Sequence, residues 1–327
     1  MPLRHRILNL LADGEFHSGE ALGAVLGVSR MAVWKHLRAL RELGVAFESV
    51  RGKGYRLATS CELLMRDKIL ACVGPGATSR LAALEILLET GSTNTRLRDQ
   101  ALNGAPSGTV CMAELQSAGR GRHGRSWVSP FASNLYLSVL WRTPLGAAAL
   151  GGLSLAAGIG VLRALHAAGV SKVGLKWPND LLADGAKLAG VLIDVVGESS
   201  GPCAVIVGVG INVRMPPAAG AGIDQAWTDL ERLQDAPLPS RNQLAGSLIE
   251  HLFAVLANFE QHGLQPFQAE WARHDVIAGR AIDLKMPHGQ VQGIARGIDA
   301  GGALLLETRP GELQPFASGE VSVRIAS

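Results

Sequence analysis

At 327 residues the chain is long enough for two or three domains, each able to bury a core. Its composition, 47% hydrophobic and 18% charged, suits an ordered globular protein and argues against disorder. The net charge of +3 is small but unevenly spread: residues 1–57 hold nine Arg and Lys against five acids, so the remainder is slightly acidic.

No apolar run reaches the ~18 uninterrupted residues of a membrane span. The nearest, Gly146 to Leu165, is rich in small residues, carries Arg163 and predicts a buried helix. The opening MPLRHRILNLLADGE is too charged for a secretory segment, which makes the cytoplasm the expected compartment. Cys61, Cys72, Cys111 and Cys203 are widely scattered with no CxxC pair, so reduced thiols are expected and no protein-built metal site.

Leu3, Ile7, Leu8 and Leu11 recur at helical spacing before Gly14. Ser18 is placed to cap a second helix with Leu22, Val25 and Leu26 on its apolar face. Gly27-Val28-Ser29 then makes a short turn, with Ser29 as a new N-cap, into a third helix with Val33, Leu37 and Leu40 inward. Two helices across so short a turn predict a helix-turn-helix. Arg30, Lys35, His36, Arg38 and Arg41 supply hydrogen-bond donors along its second helix. VAFESV and GYRLA follow as two short strands, and the hairpin between them carries Arg51 and Lys53 at its tip, as a wing would. The alternative is a helical protein-interaction domain with a solvated basic face; the wing favours DNA. A helix around Glu62 to Ala71 is expected to lead out of this module.

Residues 119–124 read Gly-Arg-Gly-Arg-His-Gly and formally satisfy GxGxxG. A dinucleotide fingerprint must open a helix and be followed about 20 residues later by an acid. Here Pro130 bars an immediate helix, and no Asp or Glu occurs from Leu115 to Asn179. The nicotinamide reading fails. Those 65 residues hold seven cations, three of them alternating with glycines in one loop. Glycines let backbone approach a ligand while guanidinium groups clamp an anion bidentately, so a substrate bearing phosphate and carboxylate fits. A solvated RG tract is the alternative, but this loop lies between core-like strands. A second polar cluster, Lys176 to Asp180, closes an apolar strand; Lys187-Leu188-Ala189-Gly190 opens the next, and AVIVGVGINV ends at Asn212. Strand ends of this kind carry chemistry in sheet enzymes, although Asp180 alone would more often be a turn residue.

GSTN (91–94), AELQSAGRGRHGRSW (113–127), NLYLS (134–138), KWPNDL (176–181), KLAGVL (187–192) and GVGINV (208–213) together resemble the biotin–protein ligases in order and spacing. With the winged helix in front, the resemblance extends to the bifunctional bacterial ligase/repressors and covers essentially the whole chain. It implies an α+β protein: a winged helix-turn-helix at 1–62, a catalytic domain at 63–275 with a mixed β-sheet and flanking helices of the class II synthetase-like biotin/lipoate ligase fold, and an SH3-like β-barrel at 276–327. AIDLKM, VQGIARGID, ALLLETR and VSVRIA independently read as short strands there.

The resemblance implies two half-reactions: biotin and MgATP give biotinyl-5′-AMP and pyrophosphate, then the acyl group passes to a lysine of a carboxyl-carrier protein. Lys187, Arg120 and Asp180 would be the catalytic set, with Asp180 positioning the acceptor amine. Ser92, Thr93, Asn94, Gln116, Gly119, Arg120, Gly121, Arg122, Lys187 and Gly190 would bind biotin. Arg122, Arg125, Trp127, Lys176, Asn179 and Asn212 would serve the nucleotide, with Trp127 against adenine. Ser29, Arg30, Lys35, His36, Arg38, Arg51 and Lys53 would face operator DNA. The catalytic loop is expected to be mobile until biotinyl-AMP orders it and promotes homodimerisation. Gly91 and His123 depart from the family pattern, which has an acid and a loop arginine at those places. The rival readings are a biotin-sensing transcription factor without turnover and a lipoate-type ligase. Intact Lys187, Arg120 and Asp180 argue against the first, and the GRGRxGRxW and KWPND segments against the second.

Overall fold

A computed structural model describes residues 3–58, 62–198, 200–233, 238–286, 289–319 and 322–325. Three short amphipathic helices open it: α1 (Leu3–Leu11), α2 (Gly19–Leu26) and α3 (Arg30–Glu42). Ser18 and Ser29 each accept a bond from the backbone N–H three residues on, at 3.0 and 3.2 Å, which satisfies an otherwise orphaned helix donor. Gly27 takes φ 73° between α2 and α3, a region costly for any residue with a Cβ. Ile7, Leu8, Leu11, Leu22, Leu26, Val33, Leu37 and Leu40 form the small core beneath. Val25, expected on that face, is instead 64% exposed, because α2 buries Leu22, Gly23 and Leu26 and turns Val25 outward. Strands β1 (Phe47–Val50) and β2 (Gly54–Leu57) pair antiparallel and leave Arg51 and Lys53 exposed at the wing tip.

The expected helix from Glu62 begins only at α4 (Arg66–Leu70). Residues 62–65 stay non-helical because a later helix claims them. The Glu62 carboxylate accepts from Ser240 Oγ, Arg241 N and Asn242 Nδ2 at 2.6–2.7 Å, and Met65 N donates to Asn242 Oδ1. After α5 (Pro75–Thr78) come β3 (Ala83–Thr90), α6 (Thr93–Leu102), β4 (Thr109–Gln116), β5 (Leu135–Thr143) and α7 (Leu153–Ala167), the buried helix that the small-residue stretch predicts. Then follow β6 (Gly174–Lys176), β7 (Asp180–Ala183), β8 (Ala186–Gly197) and β9 (Cys203–Ile211). Helices α8 (Pro217–Gly220), α9 (Leu230–Leu233), α10 (Arg241–His262) and α11 (Gln268–His274) complete this part.

The seven strands lie in the order β3-β4-β5-β9-β8-β7-β6, with β3 and β4 parallel and the others antiparallel. Alternation sorts the faces of the central strand β9. Val205, Val207, Val209 and Ile211 join the main core with α7 and α10, while Ala204 and Ile206 pack under α6 with Leu97 and Ala101. The latter face continues into Gly208 and Gly210, which leave a trough.

A five-stranded antiparallel sheet of SH3-like type closes the chain, in the order β13-β12-β11-β10-β14. Its strands are β10 (Ala281–Met286), β11 (Gly289–Ile298), β12 (Leu304–Arg309), β13 (Glu312–Phe316) and β14 (Ser322–Ile325). Strand β13 escaped the sequence, its Pro315 masking it. The winged helix docks on the central sheet: Leu88 of β3 and Ala132 join its core, with Phe131 packed beside them. Beneath this seam Arg241 (4% exposed) pairs with Glu114 (1% exposed) at 2.8 Å and donates to the carbonyls of Glu62 and Asn134. Leu64 N donates to the other Glu114 oxygen at 2.6 Å. Among the described residues Cys111 and Cys203 are buried and Cys72 half-buried, all free; Cys61 lies outside them. No described helix is long and apolar enough to cross a membrane.

Candidate active site

The glycine trough of the sheet forms the floor of a cavity of about 790 Å³. Gly190 faces Gly210 across β8 and β9, and Leu192, Gly208 and Ser138 lie in register across β8, β9 and β5. The glycines are sterically required here. A Cβ on Gly208 would lie 2.0 Å from Asn94 Oδ1, and one on Gly210 would lie 2.4 Å from the Trp127 ring.

At one end the start of α6 supplies Ser92, Thr93 and Asn94, all buried. Thr93 N and Oγ1 both donate to Gln116 Oε1, at 2.9 and 3.1 Å, and the Ser138 hydroxyl lies 2.6 Å from Asn94 Oδ1 and 2.7 Å from Thr93 Oγ1. Gln116 in turn donates to Ser129 Oγ, and Asn94 Nδ2 to Asp194 Oδ2 at 3.1 Å. This end offers a fixed array of neutral donors and acceptors.

The arginine–glycine loop crosses the middle. It forms a tight hairpin: Gly121 N donates to Arg125 O at 2.7 Å, Trp127 N to Gly119 O at 2.9 Å, and His123 takes φ 55° in the 3-10 turn Arg122–Gly124. Sequence reasoning expected little to hold this loop, but side chains tether it at two further points. Arg120 pairs with Asp194 at 3.0 Å. Arg122 donates to the main-chain carbonyls of Ser318 and Gly319 in the C-terminal sheet, and to Asn179 Oδ1 at 3.4 Å. Burial lowers the proton affinity of the Arg122 guanidinium, and Asp180 partly restores it.

At the far end Lys187 Nζ lies 2.7 Å from Asp180 Oδ1 and 5.3 Å from the centroid of the Trp127 ring. The turn between β6 and β7 and the register Asp180↔Gly190 bring this pair to the trough. Burial also lowers the Lys176 ammonium pKa. Trp127 Nε1 and Asn212 Oδ1 are buried with no hydrogen-bond partner among the described residues. Asn212 Nδ2 donates to the carbonyls of Lys187 and Thr228. Such idle polar atoms cost free energy unless a ligand engages them.

Apart from Gly119 and Asn212, every residue expected to bind biotin or nucleotide lines this one cavity. Gly119 is buried behind the loop, where a Cβ would meet Trp127 O at 2.4 Å; Asn212 lies beneath the floor at 3% exposure. The expected DNA residues lie outside the cavity on the winged helix, with Lys35, Arg38, Arg51 and Lys53 exposed and His36 half-buried. Arg30 reaches back to Glu20 at 3.4 Å, and the Ser29 hydroxyl is spent as the cap of α3. Sequence reasoning missed Ser138, Asp194, the segment Asp224 to Ala226, and Arg324 of β14, all of which adjoin or line the cavity. The lone acid in the apolar run GVLIDVV was the available signal for Asp194.

Comparison with known proteins agrees with this geometry. Residues 89–212 match the biotin/lipoate A/B protein ligase family, residues 4–56 an HTH domain, and residues 277–324 the biotin protein ligase C-terminal domain. The chain is 42% identical to the bifunctional ligase/repressor BirA of Escherichia coli K12, over 98% of this chain and 97% of that protein. It is 38% identical to the biotin–[acetyl-CoA-carboxylase] ligase of Mycobacterium tuberculosis, over 75% of this chain and 89% of the relative. The solved biotin protein ligase of Aquifex aeolicus in complex with biotin and ATP superposes with a TM-score of 0.64 at 28% identity, covering 75% of this chain and all of that one. Fold, cavity and similarity over nearly the full length coincide: the chain belongs to the biotin/lipoate A/B protein ligase family, among its bifunctional ligase/repressors.

Proposed function

We propose that this chain condenses biotin with ATP to biotinyl-5′-AMP in the glycine-floored cavity, passes biotin to a lysine of a carboxyl-carrier protein, and acts as a DNA-bound repressor of biotin synthesis through its winged helix. The observation that carries the ligase activity is one cavity with a neutral hydrogen-bonding end and a cationic remainder. The first suits the ureido and thiophane end of biotin; the second suits a carboxylate and phosphates. The likeness to a ligase solved with biotin and ATP supports the same assignment.

In the first step a biotin carboxylate oxygen attacks the α-phosphorus of ATP and the bond to pyrophosphate breaks. Two anions must meet, so the protein's task is to neutralise and align them rather than to supply a nucleophile. Ser92, Thr93, Asn94 and Gln116 hold the neutral end of biotin, with Gly119 keeping the loop close. Gly190 leaves room beside it. Arg120, Gly121 and Arg122 line its carboxylate. Lys187 stabilises the acyl-phosphate bridge, and Arg125 and Lys176 attend the phosphates. Trp127 packs against adenine, Asn179 fixes Arg122, and Asn212 serves the nucleotide side from beneath, holding the main chain of Lys187 and Thr228. In the second step the lysine amine attacks the acyl carbon, AMP leaves, and Asp180 orients the amine.

Magnesium belongs to this scheme as part of the substrate MgATP. The described residues contain no cluster of three or more His, Cys, Asp or Glu, and Asp180 and Asp194 are engaged by Lys187 and Arg120. These residues do not form a resident metal site. The domain limits 1–62, 63–275 and 276–327 belong to the same proposal, as does a cytoplasmic location, where ATP, DNA and free thiols meet. So does a homodimer promoted by biotinyl-AMP, whose two winged helices would meet two half-sites.

The test is incubation with ATP, labelled biotin or lipoate, and an apo carrier domain. Transfer of biotin in preference to lipoate is the expected result. Adenylate without transfer, or no turnover, overturns the ligase assignment. Sedimentation that finds only monomer at micromolar protein with saturating biotinyl-AMP removes the dimer.

A further inference from the structure

Two large apolar side chains stand in water on the helix that bears the DNA-facing cations. Met31 is 71% exposed and Trp34 48% exposed. Isolated exposed apolar residues are ordinary. These two are neighbours at i and i+3, and share one face of α3 with Lys35 and Arg38, while Val33, Leu37 and Leu40 fill the opposite, buried face. The Arg38 guanidinium leans over the Trp34 ring at 5.9 Å from its centroid. The apolar pair thus lies among cations on the exposed face of α3, where Glu42 also pairs with Arg38 at 3.5 Å, and Arg51 and Lys53 stand exposed at the wing tip.

The chemistry of a major groove limits what this pair can recognise. Phosphates call for the cations around it. Base edges present acceptors, amino donors and one apolar group, the C5-methyl of thymine. Met31 offers no strong donor, and Trp34 offers a single N–H at the end of a wide apolar ring. We propose that Met31 and Trp34 read thymine methyl groups, so that the half-site this chain prefers carries thymines where the first half of α3 enters the groove. The proposal rests on the DNA-binding role of the winged helix and assigns its specificity to two residues not among those first expected to face DNA.

The test begins with selection of duplexes from a random pool by the full-length protein, followed by replacement of each thymine in the selected site by deoxyuridine. That change removes only the methyl group. The wild-type chain should lose about fourfold in affinity for each contacted methyl. Met31→Ala combined with Trp34→Ala should abolish the difference between thymine and uracil, Trp34→Phe should retain it, and all should keep the wild-type salt dependence and melting curve. A wild-type protein indifferent to uracil at every position overturns the proposal, as does a double variant that keeps the penalty. In both cases the chain still binds DNA. A chain that binds no duplex at all removes the DNA-binding role itself, which is a separate result.

Discussion

The glycine-floored cavity and helix α3 use the same kinds of side chain in opposite ways. In the cavity each key cation has a fixed partner: Arg120 has Asp194, Lys187 has Asp180, and Arg122 has main-chain carbonyls. On α3 Lys35 is exposed, and Arg38 makes only a solvent-open pair with Glu42 at 3.5 Å and leans over Trp34. Fixed charges in a concave site stabilise one transition state; mobile charges on a convex face suit phosphates at spacings that vary with sequence. Substitutions should therefore hurt the two regions by different amounts and in different observables.

The sharpest break comes from the buried ion pair beneath the seam with the winged helix. Arg241→Ala strips the counter-charge from buried Glu114 and should cost roughly 3–5 kcal/mol in a denaturant melt, whereas alanine at an exposed α3 cation should leave the melt nearly unchanged. Next, Lys187→Ala should lower biotin transfer about 10²–10³-fold while duplex binding by a monomeric winged helix persists. Equal rates would remove Lys187 from the chemistry. Lys35→Ala should weaken DNA binding modestly and reduce the slope of log affinity against log salt by about one, with transfer rates intact.

The smallest effect lies at the seam between the regions. Burial pushes the His5 ring below the ordinary histidine range, opposed by Glu114, and its Nδ1 is buried without a partner among the described residues. The unfolded chain then binds a proton at a pH where the folded chain does not. His5 therefore favours folding at neutral pH and withdraws that contribution as pH falls through the ordinary histidine range. His5→Asn should flatten this acid-side decline in melting temperature, readable in a pH series; an unchanged slope would show that the seam is indifferent to protonation.

Local features were the legible ones. Ser18 and Ser29 as caps, the Gly27 turn, the wing and the buried α7 all follow from signals within a few residues. The cavity was legible because its motifs are contiguous segments, each placed at a strand end. What escaped depended on distance in sequence. Asp194, the partner of Arg120, lies 74 residues away, beyond the acid-free stretch that drew attention to the loop. Arg324 reaches the cavity from the last strand, and nothing near it in sequence signals that. Glu62 seemed to begin a helix because its own neighbours permit one; only α10, some 180 residues later, explains why it caps instead. The loop seemed loose for the same reason, since its tethers come from residues 179, 194, 318 and 319.

Arg122 grips the C-terminal sheet through the peptide oxygens of Ser318 and Gly319. An oxygen of the main chain is present whatever side chain occupies the position. This link is therefore blind to the identity of residues 318 and 319, so relatives are free to vary the letters there while keeping the latch, provided the chain length around that bend is preserved.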